Sequence, residues 1–344
     1  MSEKVVIGLS GGVDSSVAAY LLQRQGMTVI GATIDTGLGA CPAQDAALIA
    51  RQLGMEHEVI DVKERFEQQV VRPFTDAYFE AKTPNPCVLC NPRVKWQSLL
   101  ELADRVGARY VATGHYSRVV QLASGRYTIE KALYKDQSYV LYGLSQVQLS
   151  RTLMPLGGYT KEKVRQIAAE LGLGSAEKAD SQEICFIPDN NYARFITEYS
   201  GRTSPKGAFV TADGAVLGEH QGLIHYTIGQ RKGLGIALGE RAFVTKLKPE
   251  TNEVVLGRNE DCFQSRVLVQ QVNFVMEEKY HPGSSPALQG KIRYAHREAP
   301  CRLKELEDGL WECLFDAPQR AVTPGQAIVW YAGSLLYGGG IVKA

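Results

Sequence analysis

The fold follows from residues 5 to 17, which read Val5-Val6-Ile7-Gly8-Leu9-Ser10-Gly11-Gly12-Val13-Asp14-Ser15-Ser16-Val17. An apolar run typical of a buried strand passes through a glycine-rich turn into apolar residues at four-residue spacing, which is typical of a helix. The backbone N–H groups of such a turn point into one concavity at the positive end of the helix dipole, where phosphate binds well. The serines are candidate donors to phosphate oxygens, and Asp14 is a candidate ligand for Mg²⁺.

The same turn has a plain alternative, in which it merely joins a strand to a helix. No Gly-Lys-Ser/Thr follows it, so the turn is not a Walker loop. It resembles the pyrophosphatase loop (PP-loop) of enzymes that split ATP into AMP and pyrophosphate.

Strand and helix patterns alternate through the first part of the 344-residue chain. Apolar runs at Val29–Ile34, Val59–Val62 and Tyr110–Thr113 predict strands, while Ala43–Leu53 and Val94–Val106 predict helices that end at glycines. This alternation predicts a parallel sheet wrapped by helices, extending to about residue 135.

The remainder of the chain changes character twice. Residues 136–200 predict a mostly helical extension, most clearly at Thr160–Leu171, where Thr160 is a candidate N-cap. From Ser204 onward, short alternating segments and turn signals such as Asp213-Gly214 predict two small all-β units. We therefore expect domains at 1–200, 201–268 and 269–344.

Composition narrows the class of protein. The hydrophobic content of 44% allows a sizeable core, and the net charge of +1 indicates that any RNA would be bound by local patches. No apolar run approaches the ~20 residues of a membrane span, and the chain enters a strand without a cationic leader, so we expect a cytoplasmic protein. The seven cysteines are an odd number that does not resemble a secreted disulfide framework, so free thiols are expected.

Three cysteines stand in informative contexts. The segment Thr83-Pro84-Asn85-Pro86-Cys87-Val88-Leu89-Cys90-Asn91 enters a helix, and Cys90 near its start is a candidate nucleophile because the helix dipole favours a thiolate. The Cys87-x-x-Cys90 spacing is also compatible with a redox pair, half of a zinc site or two incidental thiols, although no second pair completes a zinc site. Cys185, in Ile184-Cys185-Phe186-Ile187, is on its residues alone best interpreted as a buried small hydrophobe.

Further motifs complete the pattern, and together they resemble one family, the tRNA-specific 2-thiouridylases (MnmA or TrmU), over nearly the whole chain. They are Ala112-Thr113-Gly114-His115-Tyr116, Lys135-Asp136-Gln137-Ser138-Tyr139, Gly218-Glu219-His220-Gln221-Gly222, Thr227-Ile228-Gly229-Gln230-Arg231-Lys232-Gly233-Leu234-Gly235, Thr323-Pro324-Gly325-Gln326 and Gly338-Gly339-Gly340.

The resemblance implies a fold and a reaction. The fold would be an α/β PP-loop domain (adenine nucleotide alpha-hydrolase-like), a central β domain and a C-terminal β-barrel that grip a tRNA anticodon arm. The reaction would be the 2-thiolation of the wobble uridine in the tRNAs for Lys, Glu and Gln. ATP would adenylate the uridine 2-oxygen, and a sulfur-donor protein or sulfide would supply the sulfur.

The resemblance also implies roles for individual residues. The target base would have to flip out of its stack before these residues could act on it. The catalytic residues would be Cys90 as nucleophile and Cys185 as persulfide carrier. The ATP-binding residues would be Gly8, Leu9, Ser10, Gly11, Gly12, Val13, Asp14, Ser15, Ile34 and Gly114. The target base would lie against Asn85, Pro86 and Cys87, and the tRNA contacts would be His115, Lys135, Asp136, Gln137, Arg293, Tyr294 and Gln326.

The chain departs from the family pattern at Cys87, where many members have Asp. Thiolates are the usual ligands of iron–sulfur clusters, so Cys87, Cys90 and Cys185 are candidate ligands of a [4Fe–4S] cluster. The competing persulfide mechanism needs only Cys90 and Cys185, which would end as a disulfide. Both mechanisms stay open, and a second departure, the shorter and less acidic segment 35–42, puts in doubt any metal or partner contact made there.

Two other classes of protein share some of these features. Another PP-loop ATP-dependent ligase, of the argininosuccinate synthetase kind, would not need Cys90 and Cys185. A non-catalytic tRNA-binding iron–sulfur protein would not release pyrophosphate when tRNA is added.

Overall fold

The computed structural model describes residues 2–39, 42–174, 184–236 and 241–343. Cys41 and residues 180–183, which precede the Cys185 motif, therefore lie outside the described residues. Within the described ranges, no helix is long and apolar enough to cross a membrane.

The helices are α1 Val13–Arg24, α2 Ala43–Gln52, α3 Lys63–Phe66, α4 Arg72–Phe79, α5 Cys87–Cys90, α6 Gln97–Val106, α7 Gln146–Ser150, α8 Lys161–Glu170 and α9 Tyr192–Ser200, with π-helical segments at Glu67–Val71 and Asn91–Trp96. The strands of the first two sheets are β1 Lys4–Gly8, β2 Thr28–Asp35, β3 Glu56–Asp61, β4 Tyr110–Ala112, β7 Thr152–Leu153, β8 Gly207–Val210, β9 Val216–His220, β10 Phe243–Lys248 and β11 Glu253–Gly257. The strands of the third sheet are β5 Ser117–Gln121, β6 Tyr127–Lys131, β12 Phe263–Phe274, β13 Leu288–Lys291, β14 Ala299–Glu305, β15 Trp311–Arg320, β16 Ala327–Ala332 and β17 Leu335–Val342.

A parallel five-stranded sheet forms the first layer, in the order β3-β2-β1-β4-β7. Val5, Val6 and Ile7 of its central strand β1 are fully buried, as their unbroken apolar run predicts. The strand order reverses between β1 and β4, and such switch points are where open α/β sheets bind ligands, beyond the carboxyl ends of the strands. The glycine-rich turn after β1 lies at this point.

Two predicted boundaries in this layer were wrong. Strand β3 begins at Glu56 rather than Val59, because it is an edge strand whose partly exposed His57 and Glu58 hide the apolar pattern. The helix predicted from Val94 begins at Cys87 and widens into a π segment at Asn91–Trp96 before α6. The prolines on either side of its first turn indicate a loop when only the sequence is considered. In the structure the turn widens after Cys90, so the helix continues although proline has no N–H to donate.

The region 136–200, expected to be mostly helical, also contributes strand β7 to the parallel sheet. The hairpin β5–β6, which lies within the segment assigned to the parallel sheet, instead joins the third sheet by the pair Leu335 and Glu130. This pairing joins strands about two hundred residues apart in the chain, so a local sequence pattern cannot predict it.

The C-terminal part is a closed barrel, as expected. Its order is β12-β15-β14-β13-β16-β17, closed by antiparallel pairing of β12 with β17. In chain order, a four-stranded sheet, β10-β11-β8-β9, comes between the parallel sheet and the barrel.

Strand β17 meets the first domain through glycine. A Cβ at Gly339 would lie 2.7 Å from the Ile328 carbonyl oxygen and 2.7 Å from the Tyr142 ring. Tyr142 belongs to the first domain and is buried. The barrel can therefore pack this closely only where β17 lacks a side chain.

We predict that Gly339→Ala lowers the stability of the protein by about 1–3 kcal/mol, because the new methyl group must displace backbone and an aromatic ring. The midpoint of heat-induced unfolding measures the effect. Gly158→Ala is the matched control, since a Cβ there meets no heavy atom within 4 Å. Equal midpoints for the two variants would contradict this packing argument.

Candidate active site

The turn after β1 is locked by its own side chains. Ser15 Oγ accepts a hydrogen bond from the Ser10 N–H at 3.2 Å and donates one to the Gly12 carbonyl at 3.1 Å. Gly11 has φ +67°, and a Cβ there would lie 2.7 Å from the Asp45 Cβ. The two serines and the glycines thus hold the backbone in the concave shape that a phosphate needs.

The other residues expected to bind ATP lie at the same edge of the sheet. Ile34 is near the carboxyl end of β2 and Gly114 follows β4, so they flank the turn on either side. Gly114 packs on the turn itself, since a Cβ there would lie 2.7 Å from the Ser15 nitrogen. The structure therefore brings the predicted ATP residues together, and their binding role stays a prediction.

Asp14 is engaged by groups that sequence reasoning missed. Its Oδ1 receives hydrogen bonds from the Tyr116 hydroxyl at 2.6 Å and from Lys161 Nζ at 2.7 Å. Lys135 Nζ lies 3.8 Å from its Oδ2, although the family resemblance had assigned Lys135 to tRNA. Lys161 comes from α8, far along the chain, and only its basic character just after the Thr160 cap distinguishes it in the sequence.

Cys87 and Cys90 begin and end the single turn α5. The Asn85 side chain accepts a hydrogen bond from the Cys87 N–H at 3.1 Å and so fixes the entry into this turn. Cys90 packs against the apolar cluster that contains Phe186 and Ile187, and Ile34 packs against the same cluster. The thiols and the turn after β1 therefore lie beyond the carboxyl ends of neighbouring strands.

Cys185 is exposed, so the interpretation of a buried hydrophobe was wrong. Its neighbour Phe186 is the buried residue, with edge-on ring contacts to Phe66 and Phe74 at 5.5 Å each. On the other side, a Cβ at Gly39 would lie 2.6 Å from the Cys185 carbonyl oxygen. Anchored in this way, Cys185 faces outward while its backbone is held.

The three thiols influence one another electrostatically. Burial raises the pKa of Cys90 to about 12, the nearby Lys95 ammonium opposes that shift, and Cys185 and Cys87 add to it. Cys87 and Cys185 reach the surface, but the protein around them still displaces part of their water, which raises the pKa of both thiols, and Lys95 again opposes the shift. The expected stabilisation of a Cys90 thiolate by the helix dipole is thus outweighed by burial.

Lys95 is a residue that sequence reasoning missed. It lies on the π segment after Cys90, and its Nζ donates to the Asn91 side chain at 3.0 Å. Asn91 is buried and donates in turn to the Val140 carbonyl at 2.9 Å, which fixes the orientation of its amide. A π turn brings residues five apart, such as Cys90 and Lys95, closer to alignment than an α turn does, which is consistent with the effect of Lys95 on the pKa of Cys90.

His115 lies within electrostatic range of Lys95, and the residue before it packs on the turn after β1. Burial, followed by the Lys95 ammonium, lowers the pKa of His115 well below its ordinary value, so its imidazole is neutral. Its ring lies 5.6 Å from that of Trp96, and its Nδ1 is 2.8 Å from the Thr113 hydroxyl. The preceding residue, Gly114, touches the turn.

Both β domains hold the loop before Cys87. The Thr83 N–H donates to the Pro324 carbonyl at 2.9 Å, and Gln326 Nε2 donates to the Thr83 carbonyl at 2.7 Å. The Thr83 hydroxyl is 3.1 Å from the hydroxyl of Thr227 in the central domain. Gln326, expected to contact tRNA, therefore uses its amide to position this loop.

Two more of the expected tRNA contacts have internal partners. The Asp136 carboxylate accepts from the Ser138 hydroxyl at 2.7 Å and the Ser138 N–H at 3.1 Å. Gln137 Oε1 accepts from the Tyr116 N–H at 2.9 Å. These contacts shape the turn that carries Lys135, and a role in RNA binding stays a prediction.

Arg293 and Tyr294, both expected to contact tRNA, lie close to the basic Lys291, and their role in RNA binding stays a prediction. Tyr294 is exposed, and Lys291 Nζ lies 5.6 Å from its ring centre and 5.9 Å from that of Tyr139. Basic side chains interleaved with aromatic rings bind phosphates and stack on unpaired bases.

The described part of the chain contains no group of three or more His, Cys, Asp or Glu side chains placed to hold a metal ion. In this arrangement Cys87, Cys90 and Cys185 do not form the ligand set of a cluster, although all three are free thiols. Asp14, the candidate ligand for Mg²⁺, forms an ion pair with Lys161.

Comparison with known proteins adds family information. Three family models match in succession: the tRNA methyl transferase HUP domain at 3–189, the tRNA methyl transferase PRC-barrel domain at 193–258 and the aminomethyltransferase beta-barrel domain at 264–342. The chain is 49% identical to the tRNA-specific 2-thiouridylase MnmA of Lachnoclostridium phytofermentans, covering 99% of each chain. It is 42% identical to that of Clostridioides difficile, covering 100% of this chain and 99% of the relative, and 44% identical to that of Clostridium acetobutylicum, covering 100% of both.

We predict that alkylation of Cys90 by iodoacetamide accelerates about tenfold per pH unit between about pH 7 and pH 10 without a plateau, because its thiolate is scarce throughout this range. Lys95→Met should slow the reaction at every pH, since it removes the cation that lowers the thiol pKa. Peptide mass spectrometry measures the rate at Cys90 separately from the other cysteines.

Arg93→Met is the matched control for this measurement. Arg93 is exposed on the same π segment and acts electrostatically on Tyr142 instead. A plateau near the ordinary thiol pKa would contradict the raised pKa of Cys90, and equal slowing in both variants would show that Lys95 has no special influence on Cys90.

Proposed function

Because this chain belongs to the MnmA family of tRNA-specific 2-thiouridylases, sulfurtransferases that act on a tRNA uridine, we propose that it replaces the 2-oxygen of a wobble uridine by sulfur at the expense of ATP. The substrates proposed are the tRNAs for Lys, Glu and Gln, and the place of action is the cytoplasm. The family models are described by methyl transfer, but the full-length relatives are thiouridylases, and paired thiols suit sulfur chemistry.

One observation carries this proposal, namely that Gly114 packs on the turn after β1 while the next residue, His115, lies within electrostatic range of Lys95, the cation that acts on Cys90. Gly114 packs on Ser15 of the turn after β1. His115 lies against Trp96, and burial together with the charge of Lys95 lowers its pKa. A nucleotide in the turn and a sulfur on the thiols would therefore meet over the Gly114-His115 backbone. A uridine placed between them can react with both in sequence.

The first chemical step is the activation of a poor leaving group. The uridine 2-oxygen attacks the α-phosphorus of ATP, the bond to the β-phosphate oxygen breaks, and pyrophosphate leaves with the electron pair. The N3 proton of the uracil passes to solvent. The backbone N–H groups of Gly11 and Gly12 and the hydroxyl of Ser10 are the proposed donors to the phosphates. Mg²⁺, when bound, would neutralise phosphate charge.

The second step delivers sulfur. A sulfur-donor protein leaves a persulfide on Cys185, whose terminal sulfur attacks C2 of the adenylated uridine and expels AMP. Cys90 then attacks the Sγ of Cys185, and the S–S bond breaks with its electron pair on the uridine sulfur. The transferred sulfur is reduced by two electrons while Cys90 and Cys185 become a disulfide, which a dithiol reductant must reopen.

The iron–sulfur alternative fits this arrangement less well, because the three thiols are not grouped as metal ligands in the described structure. Cys87 then has a different task. It begins α5 directly after Asn85 and Pro86, so we propose that these three residues surround the flipped base. Its high pKa keeps the thiol neutral beside an uncharged base.

The rest of the chain would hold the tRNA. We propose that residues 1–200 form the catalytic domain, 201–268 a central β domain and 269–344 the tRNA-binding barrel. Arg293 and Tyr294 supply the basic and aromatic contacts, while Gln326 joins the barrel to the loop at Thr83. Tyr294 also donates to the Asp136 carbonyl at 3.4 Å, which connects the barrel with the first domain.

We predict that Cys185→Ser and Cys90→Ser both lose tRNA thiolation yet retain tRNA-dependent release of pyrophosphate, because adenylation precedes sulfur transfer. Cys90→Ser should accumulate a covalent adduct in which the tRNA sulfur is still bonded to Cys185. A non-reducing gel detects this adduct, which a thiol reductant removes, and Cys185→Ser should not form it.

Cys87→Ser separates the two sulfur mechanisms, since the persulfide route does not use that thiol. Under anaerobic purification we expect iron-free protein, and Cys87→Ser should still thiolate tRNA. About four irons per chain, lost together with activity in Cys87→Ser, would overturn the persulfide route in favour of a cluster.

A further inference from the structure

Asp14 stands two residues after Gly12 of the turn that is proposed to bind ATP. Asp14 is the second residue of α1, and a Cβ at Gly114 would lie 2.9 Å from its carbonyl carbon. A lone carboxylate here would repel the phosphates of ATP, which carry about four negative charges near neutral pH. Something must neutralise it.

Two lysines from separate parts of the chain do so. Lys161 Nζ lies 2.7 Å from Asp14 Oδ1 and Lys135 Nζ lies 3.8 Å from Asp14 Oδ2, and the buried Tyr116 donates its hydroxyl to Oδ1 at 2.6 Å. The Lys161 side chain is only 14% exposed. Burying an ammonium costs free energy even when it is paired, so the solubility of the protein surface does not explain why a lysine stands here.

The core of the first domain determines where Lys161 lies. It is the first residue of α8, whose N-cap Thr160 accepts a hydrogen bond from the Lys163 N–H at 3.2 Å. Val164 of α8 is fully buried in the same apolar cluster as Val13 and Val17 of α1. The two helices are thereby packed together with Lys161 aimed at the beginning of α1.

We propose that Lys161, with Lys135 beside it, binds the β- and γ-phosphates of ATP and stabilises the pyrophosphate that leaves. The inference rests on the proposed use of ATP, and it moves Lys135 from the tRNA contacts to the nucleotide site. Asp14 acts as a positioning residue for both ammonium groups.

The chemistry needs a cation at this place. When the uridine oxygen bonds to the α-phosphorus, the bond to the bridging oxygen breaks and negative charge grows on the departing β-phosphate. An ammonium has three N–H donors, so Lys161 can keep its bond to Asp14 while it donates to a phosphate oxygen. A cation that is already in place stabilises the developing charge without rearrangement.

The competing explanation is structural, with the ion pair serving only to tie α8 to α1. The two explanations differ in how they treat AMP, which lacks the β- and γ-phosphates. A contact with those phosphates strengthens the binding of ATP alone, whereas a structural tie supports the binding of both nucleotides.

We expect Lys161→Met to weaken ATP binding at least about tenfold and AMP binding less than about twofold, as loss of one hydrogen bond to a charged group implies. Isothermal titration calorimetry with ATP and with AMP, in the absence of tRNA, measures both affinities. Lys161→Arg should recover part of the ATP affinity, and Lys135→Met should show a smaller loss of the same kind.

Lys163→Met is the matched control, because Lys163 lies on the same helix with its Nζ bonded to Gln166 at 3.1 Å. It should leave both affinities unchanged. Equal weakening of ATP and AMP in Lys161→Met, or no weakening at all, would overturn the inference.

The wild-type protein keeps this test distinct from the proposed function. If wild-type protein binds ATP through Lys161 but tRNA elicits neither pyrophosphate nor 2-thiouridine, the proposed function falls and the inference stands. If it thiolates tRNA while Lys161→Met retains full ATP affinity, the inference falls alone.

Discussion

The hydrogen bonds around Thr83 are the constraint on which the remainder of the site depends. A residue of the first domain uses its N–H, its carbonyl and its hydroxyl to join Pro324 and Gln326 of the barrel and Thr227 of the central domain. The next residues lead directly through Asn85 into the turn that carries Cys87 and Cys90. The positions of Cys87 and Cys90 are therefore set jointly by all three domains, and an RNA bound to the barrel as proposed would be aligned with these thiols.

Burial and one nearby cation have opposite effects on the thiols of the site. Burial keeps the pKa of Cys90 high, so the resting protein carries thiols that are poor nucleophiles. Lys95 works against burial, and its own position is fixed by Asn91, whose amide is buried. The neutral His115 beside them adds a polar group without another cation. One cation, Lys95, thus acts on the thiols, whereas two cations, Lys135 and Lys161, lie beside Asp14.

Much of this fold could be predicted from local sequence, and the exceptions have physical reasons. The run Val5 to Ile7, the glycine turn and the helix after it were predicted correctly, because a buried central strand leaves an unbroken apolar pattern. Edge strand β3 was misplaced, since partly exposed polar residues alternate in it. The residues predicted to bind ATP lie together as expected, whereas Lys95 and Lys161 were missed. A single lysine on a helix has no local signature, because tertiary packing decides which residue it contacts. The residues around Cys185, taken alone, predicted a buried thiol, whereas in the structure Phe186 and Ile187 are buried and Cys185 is exposed.

The claim at the centre of this interpretation is that ATP activates the oxygen that sulfur replaces, and isotope transfer tests it most directly. A tRNA whose wobble uridine carries oxygen-18 at position 2 should be thiolated in one turnover with ATP and a persulfide donor, and the AMP formed analysed by mass spectrometry. Transfer of oxygen-18 to AMP is the predicted result. Thiolated tRNA accompanied by unlabelled AMP, with the label released into water, would contradict adenylation of the uridine and with it the joint use of the two halves of the site.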